Sequence, residues 1–275
     1  MPNIIIKPIK EIKDIEEAVQ VQKRAWNRSD ISLIPSTMMK SFINNGGCLV
    51  GAFDSEKVVG YAVGFLSINS SGLLYHHSQQ VGVLPEYQNF GIAFRLKLAQ
   101  KEFVKEKFNI NVMSWTVDPL LAKNAMLNFH KLGAIGRIYW ENYYGNRDDD
   151  LNSGLETDRI EVEWWFNKDD QENISTIKSS ITTNIPLIDY NDNGNYNSLK
   201  NDFLLTNNYF GIQIPSNLVE LKKENLSKAM NIRQQFRIMA KECIKSNYSI
   251  IDVMKINEKI YLIWTDKLKE FKRLK

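Results

Sequence analysis

Residues Val81 to Ala93 read V-G-V-L-P-E-Y-Q-N-F-G-I-A, and the reading of the whole chain turns on them. A β-branched, strand-like run stops at Pro85, which offers no N–H to a ladder and fixes its own φ. Gly91 then opens a long amphipathic helix. Such a joint leaves backbone N–H groups without partners at a helix N-terminus, where the helix dipole is positive. That is a ready seat for a phosphate or pyrophosphate. The candidate donors are the amides of Asn89, Phe90, Gly91, Ile92 and Ala93, with Gln88 completing the turn. Gly91 permits close approach, Ala93 is too small to block it, and Asn89 tolerates left-handed dihedrals. Arg95 and Lys97, on the helix that follows, either meet nucleotide phosphates or form a solvated helix face.

Outward from the loop, helix and strand signals alternate. Asn3 to Pro8 reads as a strand, and Glu11 to Trp26 carries Ile12, Ile15, Val19, Gln22 and Trp26 at helical spacing. A short helix starts at Pro35 and ends at Asn45-Gly46-Gly47. Cys48 to Phe53 and Val58 to Ile68 form a hairpin, and Leu73 to Val83 the strand that enters the loop. Ile92, Leu96, Ala99 and Phe103 define the inner face of the next helix. Ile110 to Val117 is a strand, and Leu120 to Leu132 a helix closed by Gly133. Strands near Ala134 to Tyr144 and Arg159 to Phe166 flank a polar loop from Gly145 to Gly154. The Asn- and Ser-rich stretch 169–208 reads as a linker or excursion, partly structured. Residues 209–275 regain pattern, with a strand ending at Pro215, a helix over Glu224 to Lys245, and a hairpin of Tyr248 to Ile256 with Lys259 to Trp264. That is too little chain for an independent core, so this subdomain is expected to pack on the first domain, 1–168.

At 275 residues, 43% hydrophobic and 24% charged, the chain can bury a sizeable core. Its formal charge of +3 argues against a nucleic-acid or membrane partner. Cys48 and Cys243 stand in no metal or redox spacing and read as small buried hydrophobes, so the expected location is the cytoplasm. The first residues mix lysines and acids into every apolar cluster, unlike a signal peptide or membrane span. No metal site, G-x-S-x-G, P-loop or dinucleotide-binding glycine motif is present.

Spaced Q88-x-x-G91-x-A93, the loop resembles the acyl-CoA pyrophosphate loop of the GCN5-related N-acetyltransferase (GNAT) superfamily, usually (Q/R)-x-x-G-x-(G/A). The order β-α-α-β-β-β-α-β-α-β-β over residues 3–168 is also similar to that family's. The implied fold class is α+β: a GNAT-like mixed β-sheet flanked by helices, with a smaller α+β C-terminal extension. The resemblance implies acetyl-CoA or another acyl-CoA as co-substrate, held by the loop, by strand amides at Val81 and Val83, and by Asn124. The Asn89 position departs from the glycine common in relatives.

Amine acylation needs a neutral amine, hence a base. Many relatives place a Glu eleven residues before the loop's Gln, and the same count here reaches His77. Its unperturbed pKa of about 6.5 suits that work, although a lone strand histidine is commonly structural. By alternation Gln79 shares its face as a substrate contact, and His76 points away. The amide of Val83 is the candidate for polarising the thioester carbonyl. F129-H-K-L-G-A134 matches a Y-x-K-x-G-(F/A) ending of relatives, but Phe129 replaces the tyrosine that protonates the leaving thiolate. Asn128, His130 and Tyr143 are alternative donors; a thiol of pKa near 8.5 also leaves unaided.

Arg159 lies on a strand among apolar and acidic residues. Arg233 falls within the apolar stripe Leu226, Ala229, Met230, Phe236, Met239, Ala240 and Cys243. An inward Arg needs an anion: a structural Glu161 or Glu163, or a substrate carboxylate. Of Trp164 and Trp165, one is expected in the core and the other along a substrate cleft. DPLLAKNA and EWW also resemble longer bacterial and archaeal GNAT proteins with a C-terminal extension, some associated with N-acylation of amino acids. The expected reaction is direct acyl transfer to a primary amine of a small molecule, possible amino acids included, by a homodimer. The alternative is a non-catalytic GNAT-fold sensor or interaction module.

Overall fold

A hairpin-rich N-terminal half and a helix-broken C-terminal half follow from where glycine, asparagine and proline interrupt the apolar runs. In the computed structural model, residues 3–27, 29, 32–147, 149, 152–182, 184–197 and 203–275 are described. The expected loop 145–154 and linker 169–208 therefore fall partly outside the described residues. The chain forms two units, 1–115 with 274–275, and 116–273. This boundary lies inside the span that the sequence pattern groups as 1–168.

In the first unit, β1 (Ile4–Pro8), β2 (Cys48–Asp54), β3 (Lys57–Ile68) and β4 (Leu74–Val83) are antiparallel neighbours in chain order. β5 (Val112–Val117) lies parallel to β4, so the sheet is mixed. Helix α1 (Ile12–Trp26) buries Ile15, Ala18, Val21 and Gln22, a face turned slightly from the expected one, since Ile12 is exposed. Helix α2 (Ser36–Asn44) starts after Pro35. Helix α3 (Ile92–Phe108) buries Ile92, Leu96, Lys97, Gln100 and Val104. Its inner face thus carries two polar residues in place of Ala99 and Phe103.

In the second unit the strand order is β7 (Arg159–Trp165), β6 (Ile135–Trp140), β10 (Ser249–Ile256), β11 (Lys259–Thr265), β9 (Tyr209–Ile214), β8 (Leu187–Ile188). β10 pairs antiparallel with β6 through Ile250 and Gly136, which joins the C-terminal hairpin to strands from before residue 168. Helix α4 (Ala122–Ala125) starts two residues later than its pattern suggests and runs into a π-helical turn, Met126–Lys131. Gly133 follows at φ +73°. Helices α5 (Lys168–Ser179) and α6 (Phe203–Thr206) give structure to the polar stretch. The long C-terminal helix is in fact two, α7 (Leu218–Glu224) and α8 (Leu226–Lys245). The break is at Asn225, whose side chain caps α8 by accepting from the Lys228 N–H at 2.9 Å. Trp164 and Trp165 are both buried, so neither walls an open cleft. Cys48 and Cys243 are buried and free. No helix among the described residues is long and apolar enough to cross a membrane.

Candidate acyl-CoA site

The site is built where β4 leaves its neighbour. Pairing with β3 runs Val63↔Gln80 and then Phe65↔His77, so β4 holds one extra residue between His77 and Gln80. A bulge of this kind bends a strand and raises its twist. The parallel ladder to β5 reaches only His76↔Met113 and His77↔Ser114, so Ser78 to Val83 have no partner on β5. Beyond the bulge, Leu84 N–H donates to Val59 O at 2.9 Å, which makes Leu84/Val59 a bonded pair. Antiparallel alternation then makes Gly82/Tyr61 and Gln80/Val63 bonded as well. Val81 and Val83 therefore turn their N–H and C=O groups to the open edge, where the sequence places two candidate amides.

The loop continues that edge. Pro85 to Tyr87 form one 3₁₀ turn, and Gln88 Nε2 donates to Val83 O at 3.3 Å, tying the turn to the strand end. Tyr87 Oη donates to Asp54 Oδ2 at 2.7 Å and anchors the other side. Asn89 and Gly91 are both left-handed, at φ +69° and +72°. Gly91 caps α3, and no side chain accepts from the helix's first amides. The N–H groups of Asn89 to Phe94 find no acceptor among the described residues. A Cβ on Gly91 would meet nothing within 4 Å, so the space before the helix is open. An anion can approach this cradle directly.

The neighbouring side chains divide. His77 is half-buried, its ring 5.2 Å from that of Phe65, and Gln79 is exposed. The bulge interrupts the alternation that would set Gln79 on the same face as His77. Arg95 donates to Ile4 O at 2.6 Å. Lys97 corrects both sequence readings, since it is 3% exposed and turned inward. Its Nζ donates to Ser78 Oγ at 2.8 Å and stands 3.3 Å from the centre of the Trp115 ring. Burial holds this amine well below the ordinary lysine pKa. Ser78 Oγ donates in turn to Gln100 Oε1 at 2.7 Å. His76 lies beside them, fully buried with neither ring nitrogen hydrogen-bonded, and burial pushes its imidazole down to about 3, with Lys97 and His77 adding to the shift. Sequence reasoning missed this polar cluster. Its signal was present, because Lys97 and Gln100 flank Leu96 on the helix face that carries Ile92.

In the second unit, Asn124 is exposed, and its carbonyl accepts from Asn128 Nδ2 at 2.7 Å. Phe129 is fully buried. His130 is on the π-helical turn with Nδ1 2.9 Å from Asp252 Oδ1, and Tyr143 is exposed, its ring tilted against Trp140 and edge-on to Tyr144. Arg233 is paired with Asp118, correcting the expectation of Glu161 or Glu163. Its Nη1 and Nη2 donate to Asp118 Oδ1 and Oδ2 at 2.9 and 2.6 Å. Burial alone would raise the Asp118 carboxyl, but Arg233 and then Arg159 outweigh it and hold the pKa below the usual range. Arg159 donates to Asp158 O and Asn152 Oδ1, each at 2.7 Å, and lies 3.6 Å from Asp118. Glu163 accepts instead from Trp165 Nε1 at 2.9 Å, and Glu161 from Trp140 Nε1 at 3.0 Å. Among the described residues no group of three or more His, Cys, Asp or Glu could hold a metal ion.

The sequence model of the acetyltransferase (GNAT) family matches residues 12–134. No curated protein matches the chain significantly. Among solved structures, an acetyltransferase of the GNAT family from Streptococcus pneumoniae is 17% identical, with 60% of this chain and 100% of that one covered at a TM-score of 0.48. Arabidopsis thaliana NAA60, in complex with a bisubstrate analogue, is 14% identical over 60% of this chain and 99% of its own, at 0.48. The ribosomal-protein-S18-alanine N-acetyltransferase of Escherichia coli is 14% identical over 60% and 94%, at 0.46. The family match spans the bulged strand, the loop and the helix it opens, so the likeness to the acetyltransferase (GNAT) family is carried by residues 12–134.

Proposed function

We propose that the chain transfers an acyl group, most simply acetyl, from acyl-CoA directly to a primary amine of a small molecule such as an amino acid. The observation that carries this reading is the continuous row of unpaired amides, from Val81 and Val83 on the open edge of β4 to Asn89–Ala93 at the start of α3. Fixed amides suit a pyrophosphate because they need no counter-charge and no reorganisation. The strand edge offers ladder bonds to the amide-bearing arm of the cofactor, and Val83 N–H serves the thioester carbonyl. His77, half-buried on the same strand, accepts the proton of the amine directly or through a water. With Phe129 sealed in the core and no proton on its ring to give, the thiolate, of pKa near 8.5, leaves unaided. Gln79, exposed on β4, is the side chain offered to an acceptor. The small-molecule acceptor rests on the resemblance to longer GNAT proteins.

The test is thiol release, read with DTNB, from acetyl- and succinyl-CoA over a panel of amines and amino acids. One or more amines should draw release, and Gly91→Glu, which puts a carboxylate into the cradle, should abolish it together with CoA binding. His77→Ala should lower kcat by at least tenfold with CoA affinity unchanged. CoA-induced stabilisation without release by any amine from pH 6 to 9 would favour the sensor reading.

A further inference from the structure

Ser78 is where β4 leaves regular pairing. His77 still faces Phe65 and Gln80 faces Val63, so Ser78 and Gln79 together oppose Gly64. The ladder to β5 also ends at His77, one residue earlier. A slip of one residue here would exchange the bonded and the open amides and turn those of Val81 and Val83 toward β3. Gln79 is exposed, whereas Ser78 is 3% exposed and its hydroxyl is held from two sides by one helix. It accepts from Lys97 Nζ at 2.8 Å and donates to Gln100 Oε1 at 2.7 Å. Lys97 and Gln100 are three apart on the buried face of α3, and the Trp115 ring centre lies 3.3 Å from the ammonium nitrogen.

Burying a lysine is costly, and an apolar side chain would fill the same space without that cost. What Lys97 adds is direction. A hydroxyl with its donor and its acceptor partner on a single helix has one place to stand against that helix. Helix α3 carries the anion cradle in its first turn and this hold on Ser78 in the turns that follow. We infer that Lys97 and Gln100, acting through Ser78, are positioning residues that lock the β4 bulge to α3, so that the open strand edge and the cradle keep the register one acyl-CoA molecule spans. The inference rests on the acyl-CoA reading above and adds residues that act from behind the seat. A ligand that touches two parts at once binds best when those parts are already fixed relative to each other.

Ser78→Ala and Lys97→Met remove the lock, methionine filling the lysine's space without its ammonium, and Ser78→Thr keeps the hydroxyl. In the unliganded whole chain, hydrogen exchange at the Gln80 and Gly82 amides should quicken at least about tenfold in the first two variants, with the β2 amides unchanged. Calorimetric titration should show acetyl-CoA at least about tenfold weaker in both, and within about threefold of the parent in Ser78→Thr. Unchanged exchange at Gln80 and Gly82, an equal rise on β2, parent-like affinity in Ser78→Ala and Lys97→Met, or a Ser78→Thr as weak as Ser78→Ala would overturn the inference. Gly91→Glu separates its failure from that of the cofactor seat. Acetyl-CoA still bound by Gly91→Glu would show the cradle misassigned, whereas parent-like lock variants beside a Gly91→Glu that binds none would overturn the lock alone.

Discussion

Gly91 and His76 show how single positions set the properties of this strand–helix joint. Gly91 sits at φ +72° with open space around it, so a side chain there is opposed by backbone strain and not by a clash. Gly91→Ala should therefore destabilise the chain by about 1–2 kcal/mol in urea unfolding, and an unchanged midpoint would refute the left-handed cap. His76 makes a pH prediction. Its folded pKa, about 3, lies below the ordinary unfolded value. As pH falls from about 6.5, the unfolded chain takes up this proton first, so stability present above that pH is lost progressively down to the folded value. The slope is at most about 1.4 kcal/mol per pH unit. The stability of the parent chain relative to His76→Leu should fall as urea unfolding is repeated at pH 7, 6 and 5; a constant difference would show that His76 does not titrate this way. Lys97 illustrates what residue-level reading could not reach. A lysine on an amphipathic helix is ordinarily solvated, and only the tertiary partners Ser78 and Trp115 reveal it as buried.

At the scale of elements, β4 is the informative strand. Its apolar run, its stop at Pro85 and the helix beyond were legible because local chemistry dictates them. The bulge between His77 and Gln80 was not, since it is a property of pairing with β3 and leaves no mark in the composition of β4. Yet the bulge and the loss of β5 are what bare Val81 and Val83. Helix α8 repeats the lesson. Arg233 in an apolar stripe announced an anionic partner, but the choice of Asp118 over Glu161 or Glu163 depends on which chain segments the second unit brings together. Asp118→Ala would leave the Arg233 guanidinium buried without its counter-ion and should cost about 3–5 kcal/mol. Urea unfolding measures this, and Asp118→Leu combined with Arg233→Met should recover much of it. A loss below about 1 kcal/mol for the single change would mean the pair is not buried as described.

At the scale of the whole molecule, the match to the acetyltransferase (GNAT) family model ends at residue 134, strands β6 to β11 follow it in the chain, and the C-terminal hairpin is joined to the strand at Ile135–Trp140. The element order announced the domain, whereas the pairing of β10 with β6 had no local signal. The proposed acyl-CoA seat runs along the open edge of β4 and ends on the α3 cradle. Amide hydrogen exchange with and without acetyl-CoA, at a concentration that saturates the rise in melting temperature, tests it most directly. Slowed exchange is expected at Val81, Val83 and Asn89 to Ala93. Unchanged exchange at these amides in the saturated protein would contradict it.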